Sequence, residues 1–220
     1  MTSLAMIATP QQAIEMSLQA GATLTKQEQR RAAATRHGAT RATFIAAHLL
    51  VRLCVAAQTS TAAGTIEVRQ HCPNCDNAHG RPEIHPPRGT GIGISHTTDM
   101  VAAIAGPGRV GIDIEPINRR PSADLRSAVL TTTELTSIND NPNPHLAFLQ
   151  AWVRKEALIK VGAATLDHLD RVDTTTITAG RWNDWWITDF TTPTHIGAAA
   201  TSTLGCQIRA NHHQPPGTPS

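Results

Sequence analysis

Along residues 109–115, Val110, Ile112 and Ile114 alternate with Gly111, Asp113 and Glu115. That period predicts a half-buried strand ending at Pro116, with both carboxylates leaving the same face. Residues 91–95 and 101–105 read as strands too, separated by the turn-rich His96-Thr97-Thr98-Asp99 and Gly106-Pro107-Gly108. The three together predict an antiparallel meander. Three more short strands are expected at 171–178, 182–190 and 195–201.

Helical signals occupy the stretches between. Thr25-Lys26-Gln27-Glu28 has capping-box spacing and should open a helix whose cations Lys26, Arg30 and Arg31 are expected on a solvated face. Residues 41–57 are apolar almost all round, as a core helix would be, with Arg41, His48 and Arg52 as exceptions. Thr131-Thr132-Thr133-Glu134 repeats the capping-box spacing and predicts a short helix through Ile138. Asn143-Pro144 then marks an N-cap followed by proline at the first helical position, and Gly162 marks the far end. In this last helix Leu149, Trp152 and Val153 form an inward stripe that continues onto Glu156 and Lys160. A carboxylate and an ammonium on a core-facing row either pair with each other or meet another charge.

Helices then a meander, followed by helices then strands, predict an α+β chain of two similar halves. The expected division is 1–106, 107–209 and a polar, proline-rich tail at 210–220 that is expected to be disordered. With 220 residues, 40% of them hydrophobic, the chain can bury a sizeable core. No run of about 20 apolar residues and no signal-peptide pattern are seen, so the expectation is a cytoplasmic protein without a membrane span. A net charge of +2 is too mild for a dedicated nucleic-acid binder. Four cysteines are too few for a disulfide scaffold, and Cys54 and Cys206 read as packing residues.

Three groups of residues could carry chemistry. Asp113 and Glu115 stand about 6 to 7 Å apart along a strand and suit either a hard-cation site or a solvated edge. Ser95-His96 is not a nucleophilic pair, since strand neighbours face opposite ways; His96 suits an anion or a turn. His71, Cys72, Cys75 and His79 are zinc-ligand types, yet all four fall in one nine-residue loop, so a zinc site and a reduced loop both stand. No glycine-rich phosphate loop is present.

Taken together, Gly111-Ile112-Asp113-Ile114-Glu115 and, about 40 residues on, Trp152-Val153-Arg154-Lys155-Glu156-Ala157-Leu158-Ile159-Lys160 resemble the paired signature of the 4′-phosphopantetheinyl transferases. Ile94-Ser95-His96-Thr97 and His79-Gly80-Arg81-Pro82 resemble two further motifs of that family. The length resembles its larger, monomeric, pseudo-twofold bacterial class. The resemblance implies transfer of the phosphopantetheine arm of coenzyme A to a serine of an apo carrier protein of polyketide, nonribosomal peptide or fatty-acid synthesis, with release of 3′,5′-adenosine bisphosphate. It implies that Asp113, Glu115 and Glu156 hold Mg²⁺, that Glu156 is also the base, and that Lys160 meets the phosphates. Arg81, Ser95 and His96 would grip the nucleotide, with Arg36 and Arg41 as the cations on the adenosine side. Other readings are a zinc-loop nucleic-acid binder and a coenzyme A binder without catalysis.

Overall fold

The computed structural model describes residues 2–70, 80, 82–85 and 89–210. The chain runs β1 (Ser3–Ala8), α1 (Pro10–Gln19), α2 (Lys26–Ala34), α3 (Gly38–Thr59), β2 (Glu67–Gln70), β3 (Pro82–His85), β4 (Thr90–His96), β5 (Val101–Pro107) and β6 (Val110–Pro116). It continues through α4 (Ala123–Val129), α5 (Thr132–Asn139), α6 (Pro144–Val161), β7 (Arg181–Trp182), β8 (Trp185–Thr191), β9 (His195–Thr201) and β10 (Cys206–Ala210). The α+β class follows: two four-stranded sheets, ordered β10-β1-β5-β4 and β6-β9-β8-β7, accompany a β2-β3 hairpin and the helices.

The local helix signals translate directly. Thr25 and Thr131 each form both arms of a capping box, with Glu28 and Glu134 returning the bond to the cap amide. Asn143 caps α6, and Gly162 ends it with a left-handed φ of 74°. The predicted meander, by contrast, is broken at its last strand. β4 and β5 pair antiparallel, but β6 leaves them and pairs with β9, through Asp113↔Ala198 and Glu115↔Ile196. The alternation of β6 fits either partner, so periodicity alone does not choose between them. The strand expected over 171–178 is instead two 3-10 turns, Leu166–Arg171 and Thr174–Thr176, the second begun by the Asp173 carboxylate on the Thr175 amide at 2.9 Å. Elements β1, α1, β2, β3, α4 and β10 are not among the expected elements, although Thr9-Pro10-Gln11-Gln12 opens α1 with a capping box. Ala210, expected in the tail, ends β10, which lies parallel to β1 in the first sheet. Residues 211–220 and the loop holding His71, Cys72, Cys75 and His79 lie outside the described residues.

One connectivity occurs twice. β5 lies between β1 and β4, and β9 lies between β6 and β8, each hairpin following a set of helices. The sheets pack on each other through Ala5, Ile7, Ala102 and Ile104 on one side and Ile112, Ile114, Ala199 and Phe190 on the other. Their outer faces are covered by helices. Val101, Ala103 and Ala105 meet α3, and Ala198 and Ala200 meet α6. Central strands covered on both faces account for the unbroken small apolar runs of β5 and β9. Helix α3 is long and apolar enough to cross a membrane by length and composition, but it serves as this core helix.

Each long helix also carries a fully buried cation. The Arg52 guanidinium of α3 donates to both Glu28 oxygens, at 3.1 and 2.6 Å, and to the Ile66 carbonyl at 2.9 Å. The Lys155 ammonium of α6 lies 2.6 Å from Glu134 and donates to the Val129 and Leu169 carbonyls at 2.6 and 2.7 Å. In both halves the carboxylate is the one that closes a capping box. Removing one partner of such a buried pair strands the other charge. Lys155→Ala should therefore cost about 3 to 5 kcal/mol in urea denaturation. Arg69→Ala, whose partner Glu67 is solvent-exposed, should cost less than about 1 kcal/mol.

Candidate active site

The edge strands of the two sheets, β4 and β6, meet beside α6, and the residues singled out by sequence converge there. The approach is close because glycines face each other. A Cβ on Gly111 would stand 2.6 Å from the Ala157 carbonyl oxygen of α6, and one on Gly93 would stand 3.2 Å from Gly111 Cα. With no side chain between them, the backbone of β6 lies against α6, and Asp113 and Glu115, on the Gly111 face, reach that helix.

Asp113 is buried. Its Oδ1 accepts from the Ser95 hydroxyl at 2.9 Å and from the Lys160 ammonium at 2.7 Å. Its Oδ2 is buried with no hydrogen-bond partner among the described residues. The Lys160 ammonium also donates to the Ile112 carbonyl at 2.9 Å. The inward Glu156 and Lys160 therefore do not pair with each other: Lys160 turns to β6, and Glu156 makes no hydrogen bond or ion pair with a described residue. Burial raises the Glu156 carboxyl above its ordinary range, and the nearby Asp113 charge adds to this against Lys160 and Arg119.

Glu115 faces α6 but is engaged differently. Its Oε1 accepts from the Trp152 indole at 3.0 Å and from Arg119, whose guanidinium lies over the Trp152 ring. Among the described residues no three carboxylate, imidazole or thiol side chains stand together closely enough to hold a metal ion. Asp113 and Glu156 are the two carboxylates left to face one charge.

A cavity of about 450 Å³ opens next to this pair, lined by His96 and Lys160 together with Arg31, Phe44, His48 and Gln70. His96 sits at its rim, where partial burial and then the Lys160 charge lower the imidazole below its ordinary value. Ser95 points away to Asp113, as strand neighbours must. Arg36 and Arg41 do not line the cavity; Arg41 instead donates to the Thr35 carbonyl at 2.8 Å, at the end of α2. Arg81 lies outside the described residues.

Arg31, expected on a solvated face, lies over the Phe44 ring on the cavity wall and bonds to Gln70. The signal was present: Arg31 stands between Glu28 and Ala32, the two buried positions of α2, and so next to its inward stripe. Phe44 packs at a tilt against His48, with ring centroids 4.2 Å apart, and the His48 Nδ1 lies 2.8 Å from Glu28 Oε1. The Glu28–Arg52 pair thus supports the cavity floor.

Burial works against ionisation of Glu28, but His48, Arg52 and the Thr25 amide outweigh it and hold the carboxyl at about 2. A depressed carboxyl stabilises the fold above its unfolded value of 4.5, and this contribution fades as pH falls from there toward 2. It amounts to about 3 kcal/mol at neutral pH. Glu28→Gln should therefore lower stability at pH 7 and flatten the loss of stability between about pH 4.5 and 2, measured as urea midpoints across pH.

The acidic pair, the adjoining ammonium and the cavity suit a phosphate-bearing ligand that brings or shares a cation. No curated protein matches the chain significantly. Residues 109–204, which run from just before β6 to just after β9 and contain Asp113, Glu115, Glu156 and Lys160, match the 4′-phosphopantetheinyl transferase superfamily.

Proposed function

We propose that the chain is a Mg²⁺-dependent 4′-phosphopantetheinyl transferase of the larger monomeric class, acting in the cytoplasm. It would move the arm of coenzyme A to a carrier-protein serine. The observation that carries the metal is the buried Asp113 Oδ2 and the nearby Glu156, neither of which has a hydrogen-bond partner among the described residues. Burying an unpaired carboxylate oxygen is costly, and Mg²⁺ typically takes only one or two carboxylates, completing its shell with waters and substrate phosphates. The residues therefore fit the ion as a half-site that a pyrophosphate finishes. Glu115 would join on release from Arg119 or act through water.

When bound, Mg²⁺ would neutralise charge on the pyrophosphate. Lys160, anchored to Asp113 and Ile112, would hold the phosphates at the cavity edge, with His96 on the opposite strand. Glu156, which makes no hydrogen bond or ion pair with a described residue, would take the proton of the attacking serine. The serine oxygen would bond to the phosphorus as the bond to the bridging oxygen breaks, releasing 3′,5′-adenosine bisphosphate. Arg31 and Phe44 add a guanidinium and a flat ring on the cavity wall, suited to the nucleotide end.

Incubation with coenzyme A, Mg²⁺ and a panel of apo carrier proteins should add the mass of the phosphopantetheine arm to at least one carrier, read by mass spectrometry. Absence of any gain across the panel would sink the reading. Asp113→Ala and Glu156→Ala should each lower kcat/KM by more than about 100-fold, the scale of a lost transition-state contact, with the circular dichroism spectrum unchanged. Near-normal rates in either variant would remove that residue from the machinery.

A further inference from the structure

His195 opens β9 and is fully buried, yet its ring faces the other sheet. Its Nε2 lies 3.1 Å from the Thr97 hydroxyl and 3.2 Å from Asp99 Oδ1. Its Nδ1 lies 2.8 Å from the Thr194 hydroxyl, and its backbone amide donates to Thr192 Oγ1 at 2.9 Å. Both ring nitrogens are therefore satisfied, as a buried imidazole requires.

Thr97 and Asp99 belong to the turn between β4 and β5 that begins directly after His96. The turn is closed internally by the Thr97 amide on the Met100 carbonyl at 2.8 Å and by the Met100 amide on the Thr97 hydroxyl at 3.1 Å. These local bonds give it shape but do not set its position relative to β6 and α6. Ser95 ties β4 to Asp113 of β6 just before His96, and His195 adds the tie just after it, because it pairs in register with Pro116, the last residue of β6, while its ring holds the turn. An apolar residue could fill the same volume. Only a directional bond ties the turn at one point, and the sequence bears the desolvation of a buried imidazole to make it.

We propose that His195 is a positioning residue for His96: through Thr97 and Asp99 it locks the turn to the second sheet and so fixes the His96 imidazole on the cavity wall. The inference rests on the reading above that this cavity receives the phosphates of coenzyme A.

The test combines calorimetric titration with coenzyme A and steady-state kinetics, for wild type and for Thr97→Val, Asp99→Ala, His195→Leu and His195→Gln. The Thr97 and Asp99 variants keep the question open to an answer even where His195→Leu fails to fold, since the Asp99 side chain is 68% exposed. Thr97→Val should weaken coenzyme binding about tenfold, the effect of one ordinary hydrogen bond with its stranded partner. Asp99→Ala should weaken it less. In both, kcat at saturating coenzyme should stay within about twofold, because the acidic pair is untouched. His195→Gln, whose amide can reach Thr97, should recover most of the loss seen in His195→Leu.

The readout that a purely structural role would not move is coupling. His96→Ala should weaken binding by itself, and adding Thr97→Val to it should weaken binding no further, since the turn would have nothing left to place. Full additivity of the two substitutions, or unchanged coenzyme affinity in Thr97→Val and Asp99→Ala, would overturn the inference while wild-type binding leaves the functional reading intact. Wild-type protein that does not bind coenzyme A at all would overturn both.

Discussion

The site depends on one steric constraint, the contact of β6 with α6 at Gly111. A single added methyl there would meet a helix carbonyl at 2.6 Å, so any other residue would push α6 away from the sheet. That distance decides whether the Lys160 ammonium can reach both Asp113 and the Ile112 carbonyl, and whether Trp152 can reach Glu115. Gly93 does the same for the first sheet, bringing Ser95 within a hydrogen bond of Asp113. Three elements from two halves of the chain thereby share one carboxylate.

Beneath this contact lies a pattern of buried charge. Glu28 and Glu134 each complete a capping box and, with the same carboxylate, neutralise a cation deep in the neighbouring long helix. The arrangement joins the start of a short helix to the middle of a long one. Such pairs contribute little net stability over apolar packing, but they fix which rotation of the long helix is allowed, since a turned helix would bury an unpaired charge. In the second half Lys155 is held this way, and its neighbour Glu156 is consequently presented toward Asp113 without a partner of its own.

That contrast between satisfied and unsatisfied charges separates the structural pairs from the candidate site. Lys155, Glu134, Arg52 and Glu28 are buried and fully bonded. Asp113 Oδ2 and Glu156 have no hydrogen-bond partner among the described residues, and they adjoin the cavity that Lys160, His96 and Arg31 line. An ion and a phosphate ligand would supply what the fold withholds, and the match of residues 109–204 to a transferase superfamily falls on the strand and helix that carry this deficit.

Much of the candidate site was legible in the chain alone, because the placement of its residues rests on local rules. Period-two alternation put Asp113 and Glu115 on one face; helical spacing ran an apolar stripe into Glu156 and Lys160; capping boxes and Asn143-Pro144 set helix starts. Each depends on residues within a few positions of one another. What the tertiary structure decided was partnership. β6 could have completed the β4-β5 meander and instead pairs with β9, Lys160 could have paired with Glu156 and instead binds Asp113, and Arg31 rather than Arg36 or Arg41 came to line the cavity. These choices join residues 39 to 98 positions apart in cases such as Arg31 with Gln70 and Thr97 with His195. Composition and periodicity are blind to them, because they say which face a side chain takes and not what stands opposite it.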